Sequence, residues 1–367
     1  MLLHEHLENG ADKNPNFPFS EFEGNSLSYQ EANLLSKQLA NKLVSEGLEV
    51  GDRFAFLAKN CTEMAIMYYA ASKVGAVPVP LNYRLADQEW AYIINDSEAK
   101  LIIVKGNEYS DRINQISSEL KNVKKYISIS LDNSIEKFQD FYDWLSDSSN
   151  EKPTLKIHEN DDVYQMYTSG TTGHPKGAVL LQRNVAANIR QYLNSLTLPR
   201  PSRTLLVAPM YHAAAMINMC GCIAIGGTIV IQEDFIPQDV VDCLANEKIT
   251  HTVLVPAMIQ ACLVSVPNVA SNEYNDLDQI HYGASPIAPE TLKKAMDVFK
   301  CKFGQGFGMT ETVAVICLMT PEEHIRALNE KPELLKSCGR PAIDTQVEIR
   351  DENDNPLPIG EIGQICA

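Results

Sequence analysis

Short apolar runs separated by helical stretches constrain the fold of this chain more than any other feature. Val77 to Pro80, Leu101 to Val104, Leu205 to Val207, Thr228 to Ile231 and Thr252 to Val255 are β-branched or apolar segments of strand length. Between them, Ser28 to Glu31 forms a capping-box pattern, followed by Ala32, Leu35, Leu39 and Leu43 at helical spacing, and Gly47 closes that helix. Arg53 to Ala58 reads as a further buried strand. A second helix starts at Asn60 to Glu63, runs to about Lys73 and ends at Gly75. Strands alternating with helices predict an α/β architecture with largely parallel sheets.

The segment Tyr167-Thr168-Ser169-Gly170-Thr171-Thr172-Gly173-His174-Pro175-Lys176-Gly177 carries the strongest chemical signal. Successive small residues can turn several backbone N–H groups into one concavity, an anion nest. Hydroxyls add donors to phosphate oxygens, and Lys176 adds a mobile positive charge. The bland alternative is a flexible polar loop. Two other phosphate loops fail here. Pro175 stands where G-x-x-x-x-G-K-[ST] needs glycine, and Lys176 precedes Gly177 rather than Ser or Thr. Met309 stands where the last glycine of a dinucleotide fingerprint would fall in Gly304 to Met309.

The net charge of −16, from 31 Lys and Arg against 47 Asp and Glu, supplies no basic surplus and excludes a nucleic-acid binder. An ATP site in such a chain must be locally positive, and Lys176 is the clearest contributor. The polar, acidic start from Met1 to Asn16 does not resemble a signal peptide. Gly221, Gly226 and Gly227 break the most apolar stretch, so no membrane span is expected. The 9 cysteines lie scattered on apolar segments without zinc spacing, which favours reduced thiols and a cytoplasmic location. Asp161 and Asp162 read as a solvated charge pair rather than an acid–base dyad.

With these residues in view, the chain resembles the AMP-forming adenylating superfamily of acyl-CoA synthetases, firefly-type luciferases and peptide-synthetase adenylation domains. The likeness runs from Leu27, Ser28 and Tyr29 to Gly360 through Gly363, and the acyl-CoA synthetases look nearest. It implies activation of a small-molecule carboxylic acid by ATP with Mg²⁺, followed by transfer of the acyl group to CoA, or to a carrier protein instead. It also implies two interleaved α/β subdomains, 1–41 with 186–313 and 42–185, the latter ending in the phosphate loop, and an incomplete β-barrel over 314–367. Residues 346–360 read as strand, turn, strand within that small unit. The Thr-Gly-Asp stretch, hinge and C-terminal lysine of the family have no counterpart before Ala367. The expectation is therefore the nucleotide- and acyl-binding part of a longer ligase, poorly active without its mobile C-terminal domain.

The resemblance also assigns roles. Thr168, Ser169, Gly170, Thr171, Thr172, Gly173 and Lys176 would hold the outer phosphates. In the second signature, Gly304 to Glu311, the backbone of Gln305, Gly306, Phe307, Gly308 and Met309 would border the nucleotide. Phe307 would stack on adenine where many members carry tyrosine, Thr310 would bond a phosphate, and Glu311 would hold Mg²⁺. Gly283 and Ala284 would border adenine and the acyl pocket. His212, in Pro209 to His212, would orient the carboxylate or gate its pocket. The motif 209–215 lacks the aspartate expected of amino-acid activators. Val255 to Ile259 is equally a pocket wall or ordinary core, and Met216, Met219, Met258 and Ile259 suit an apolar, adaptable lining. A non-catalytic adenylate-binding module is the rival from another class. Oligomeric state, a homodimer included, stays open.

Overall fold

A computed structural model describes residues 1–129, 135, 137–168, 173–194 and 201–367. Among them the strands form a nine-stranded sheet, a five-stranded sheet and two separate antiparallel pairs. The five-stranded sheet runs in the order Val77–Leu81, Arg53–Leu57, Leu101–Lys105, Lys125–Ile129 and Phe138–Asp140, all parallel. In the larger sheet the parallel core runs Lys302–Phe307, Gln279–Gly283, His251–Val253, Arg203–Leu206, Thr228–Ile231 and Pro18–Phe22. Antiparallel strands flank it: Asn25–Ser28 on one side, Cys317–Met319 and then Arg340–Pro341 on the other.

Local sequence explains the main elements. Ser28 caps the helix Tyr29–Ser45, its hydroxyl accepting from Glu31 N while the Glu31 carboxylate accepts from Ser28 N at 2.8 Å. Gly75, at φ +70°, ends the helix Thr62–Val74 in the left-handed conformation. That helix is buried along its length between the sheets, and Tyr68 and Tyr69 on it are fully enclosed.

Residues 317–341 extend the nine-stranded sheet, and the small β unit is the pair Glu348–Arg350 with Gln364–Cys366. Residues 356–360, expected as the partner strand, make only a bridge from Pro356 to Arg350. Pro356 and Pro358 lack the N–H groups that a ladder needs. Among the described residues no helix is long and apolar enough to cross a membrane.

One buried charge ties the first three helices together. Lys73 Nζ donates to Glu8 Oε1 at 2.8 Å and to Asn33 Oδ1 at 3.0 Å, with 1% of its side chain exposed. Removing Lys73 leaves Glu8 to the more exposed Lys152 and Asn33 without its buried donor. Lys73→Ala is expected to lower unfolding free energy by about 2–4 kcal/mol in urea titrations. Lys152→Ala, which loses a 63%-exposed lysine from the same Glu8, should cost below about 1 kcal/mol.

Candidate functional site

The polar loop springs from a hairpin. Asp162–Thr168 and Lys176–Leu181 pair antiparallel, with Thr168 opposite Lys176 and Tyr167 opposite Gly177. Ser169, Gly170, Thr171 and Thr172 lie outside the described residues. Gly173 is left-handed at φ +103° and opens to solvent. Lys176 is exposed and makes no ion pair among the described residues. A Cβ on Gly177 would fall on Gln165 Nε2 and crowd the Tyr167 ring, so both side chains would have to shift. Arg53 braces the base, donating to Gln165 Oε1 and to Asp162 Oδ2, each at 3.2 Å. Asp161 accepts from His158 N, so this acidic pair is structural.

The second and third motifs meet at the carboxyl ends of neighbouring parallel strands, with Gly283 opposite Gly306. A Cβ on Gly283 would fall on Gly306 O, and Ala284 is left-handed at φ +64°. Gln305, Gly306, Phe307 and Gly308 are half-buried, and Met309 is exposed. A short turn, Thr310–Thr312, then presents Glu311 to solvent. Val313 follows at φ +69° and ψ −66°, with Ala314 N donating to Thr312 O at 3.0 Å. That is a γ-turn of the rarer, strained hand, centred on a buried β-branched residue.

The hairpin and this turn are physically joined. Strand Lys176–Leu181 packs alongside the Thr310–Thr312 turn. The helix that follows it, Gln182–Asn194, carries Asn188, whose Nδ2 donates to Val315 O at 2.8 Å while its Oδ1 accepts from Val315 N at 3.3 Å. Thr168, Lys176, Thr310 and Glu311 are thus held on one connected framework.

His212 sits at the amino end of the helix Ala213–Ala224, its N–H donating to Pro209 O at 2.9 Å. Its ring tilts against Tyr211 at 4.4 Å between centroids. Although part of the ring reaches solvent, burial by surrounding protein and then repulsion from Arg84 lower its pKa, favouring neutral imidazole. Asn60, read from the sequence only as the opening of a helix, fixes the approach to His212. Its Nδ2 donates to Ala208 O and Gln232 O, each at 3.1 Å, and its Oδ1 accepts from Met210 N at 2.8 Å. Asn60 stands just beyond the strand Arg53–Leu57 of the other sheet, so it staples the carboxyl ends of both sheets together. A polar residue between an apolar strand and a buried helix was its only signal.

The expected pocket wall is divided between cores. Met216 and Met219 are fully buried in the central cluster, whereas Ile259 is fully buried and Met258 half-buried in the cluster behind the strands at 203–206 and 280–303. A second unread pair lies below Gln305. His324 Nδ1 donates to Thr320 O at 2.7 Å, leaving Nε2 to accept from Tyr282 OH at 2.8 Å. Burial lowers the His324 pKa, consistent with that neutral form.

A metal would find limited protein ligation here. No group of three or more His, Cys, Asp or Glu side chains among the described residues is placed to hold an ion. Glu311 is a single exposed carboxylate. That fits a cation bound through one carboxylate, water and substrate phosphates, the habit of Mg²⁺.

This hairpin-and-turn arrangement belongs to a known class: the chain is a member of the AMP-binding enzyme family, whose model matches residues 7–367. It is 29% identical over 364 residues to the fatty acid–[acyl-carrier-protein] ligase of Streptomyces coeruleorubidus, covering 97% of this chain and 66% of that one. It is 28% identical to a long-chain-fatty-acid–CoA ligase of Mycobacterium tuberculosis, covering 89% of this chain and 62% of the relative. The chain therefore spans about two thirds of the length of the curated relatives it matches. Among solved structures, the inhibitor-bound N-terminal domain of FACL13 from Mycobacterium tuberculosis superimposes with a TM-score of 0.88 at 25% identity, covering 99% of this chain and 88% of that one.

Proposed function

We propose that this chain is the nucleotide- and acyl-binding part of an AMP-forming acid–thiol ligase. In the proposed reaction a carboxylate oxygen attacks the α-phosphorus of ATP, pyrophosphate leaves, and the acyl-adenylate then passes its acyl group to CoA. Such a displacement needs no protein nucleophile; it needs positioning and charge neutralisation. Thr168, Gly173 and Lys176, with residues 169–172, take the outer phosphates. Gly283, Ala284 and Gln305 to Met309 border adenine, on which Phe307 stacks, and Thr310 bonds a phosphate. His212, kept neutral, orients the substrate carboxylate without competing for its charge. Glu311 would hold Mg²⁺, which supplies neutralisation of the phosphate charge when bound.

The observation that most supports this reading is the framework joining Lys176 to Glu311 through the strand Lys176–Leu181 and Asn188. It ties a cation and a carboxylate to one scaffold, and the strand that carries Gly306, closely approached by Gly283, leads directly into the Glu311 turn. ATP–pyrophosphate exchange by the proposed full-length ligase, across short, medium, long and aromatic acids, tests it. Exchange dependent on one class of acid is expected, and Lys176→Ala should reduce it by about 10²-fold. Exchange absent with every acid, from a folded protein that binds ATP, would instead indicate a non-catalytic adenylate-binding module. Because one relative is an acyl-carrier-protein ligase, CoA and a phosphopantetheinyl carrier protein should be compared as acceptors.

A further inference from the structure

The helix Asp87–Asp96 lies outside every motif assigned above, yet it contacts the phosphate hairpin on both sides of its loop. Tyr92 stacks on His174 with ring centroids 4.9 Å apart and planes 24° from parallel. The Tyr92 hydroxyl also donates to Pro175 O at 3.3 Å, next to Lys176. One helical turn on, Asp96 Oδ2 accepts from the Tyr167 hydroxyl at 2.6 Å, next to Thr168. Burial and then the Asp96 carboxylate push the Tyr167 pKa far up, so that phenol remains a donor. Gln165 Nε2 completes the arrangement by donating to Tyr167 OH at 3.2 Å.

The helix is itself firmly seated. Trp90 is fully buried and donates from Nε1 to Asn82 O at 2.8 Å. The Arg112 guanidinium lies 3.9 Å from the Trp90 ring centroid and bonds Asp87 at 2.7 Å. Glu89 caps the first turn, accepting from Ala86 N at 2.9 Å. Residues spaced i and i+4 share one helix face. Tyr92 and Asp96 therefore present a two-point clamp to the mouth of the hairpin, where the strands give way to the loop.

We infer that Tyr92 and Asp96 are positioning residues for ATP. They fix where Lys176 and Thr168 stand relative to the outer phosphates while touching no substrate themselves. Loosening a hairpin that must hold a polyphosphate lowers the population of the binding-competent form and weakens apparent affinity by the same fraction. AMP, which lacks the outer phosphates, should be indifferent to that loosening. This inference rests on reading residues 167–177 as the phosphate segment, so its test includes a control on that reading.

Dissociation constants for ATP with Mg²⁺ and for AMP should be measured by calorimetry on the unsubstituted protein and on Tyr92→Leu, Tyr92→Phe, Asp96→Ala and Lys176→Ala. Thermal melts would monitor folding. Tyr92→Leu is expected to weaken ATP roughly tenfold, with AMP changed by less than about twofold. Tyr92→Phe keeps the ring on His174 and should recover most of that loss. Asp96→Ala should resemble Tyr92→Leu with a smaller effect. Equal weakening of ATP and AMP, or unchanged ATP affinity beside a selective loss in Lys176→Ala, would reduce the clamp to ordinary packing and overturn the inference alone. Should Lys176→Ala show no selective loss of ATP, or the unsubstituted protein fail to bind it, the phosphate reading falls and takes the clamp with it.

Discussion

Gly308→Ala is expected to weaken ATP binding by about 30-fold or more and to lower stability by about 1–3 kcal/mol. A Cβ at this position would fall on Ala314 O and stand 3.0 Å from Val315 Cα, and both neighbours are backbone. Neither can retreat. Ile316 N donates to Phe307 O at 2.8 Å, Ala314 N closes the γ-turn on Thr312 O, and Asn188 holds both backbone groups of Val315. The methyl must therefore displace residues 309–312, which carry Thr310 and Glu311. Gly306→Ala is the comparison for stability. Its Cβ would meet only Val315 Cγ2 at 3.5 Å, an ordinary contact, so its melting temperature should fall much less. Equal melting temperatures for Gly308→Ala and the unsubstituted protein would mean the 307–316 turn is free to open.

Mild acid should destabilise the protein well before its carboxylates titrate. His251 and His281 are fully enclosed, and burial followed by the charge of a neighbouring histidine lowers each pKa to about 3. Their polar partners are neutral: Ser202, Thr204 and Thr250 around His251, and Gln279 beside His281. His4 and His6 are also lowered, to about 4, chiefly by burial. The folded state thus keeps these imidazoles neutral, whereas the unfolded chain takes up protons below about pH 6.5. Stability is full above that value and falls with each unit of acid towards the folded-state pKa values, by about 1.4 kcal/mol per histidine. For His251 and His281 alone, pH 5 should cost about 4 kcal/mol, a large part of an ordinary domain's stability. Urea midpoints at pH 7.5 and 5.0 would measure it. Unchanged midpoints would show that protons reach these rings without unfolding.

How far the sequence reveals the fold depends on the distance over which each feature is encoded. The strands at 77–81, 101–105 and 228–231, the Ser28 cap and the Gly75 stop follow from adjacent residues, and reading them in order recovers the α/β alternation. The pairing of Gln364–Cys366 with Glu348–Arg350 does not, because residues 356–360, just across the turn, offered a nearer partner. The glycine motifs were legible in the same local way, since a missing side chain leaves its mark in the sequence. Asn60, Asn188 and Tyr92 were not. Asn60 reaches Ala208 across 148 residues, and Asn188 reaches Val315 across 127. Nothing beside them in the chain announces such partners.

The strand Pro18–Phe22 has a consequence for how the protein is made. Ser20 pairs with Ile229 and Phe22 with Ile231, so an early strand completes its sheet only when a much later one emerges. At about 5–20 residues per second, a ribosome takes roughly 10–40 s to supply that partner. Until then the strand has only its hairpin partner Asn25–Ser28, and Phe19 and Phe22, buried in the finished molecule, lie on an incomplete sheet. The nascent chain therefore passes through a waiting period in which one edge of that strand stays unpaired, the kind of exposure that makes partly made chains prone to association.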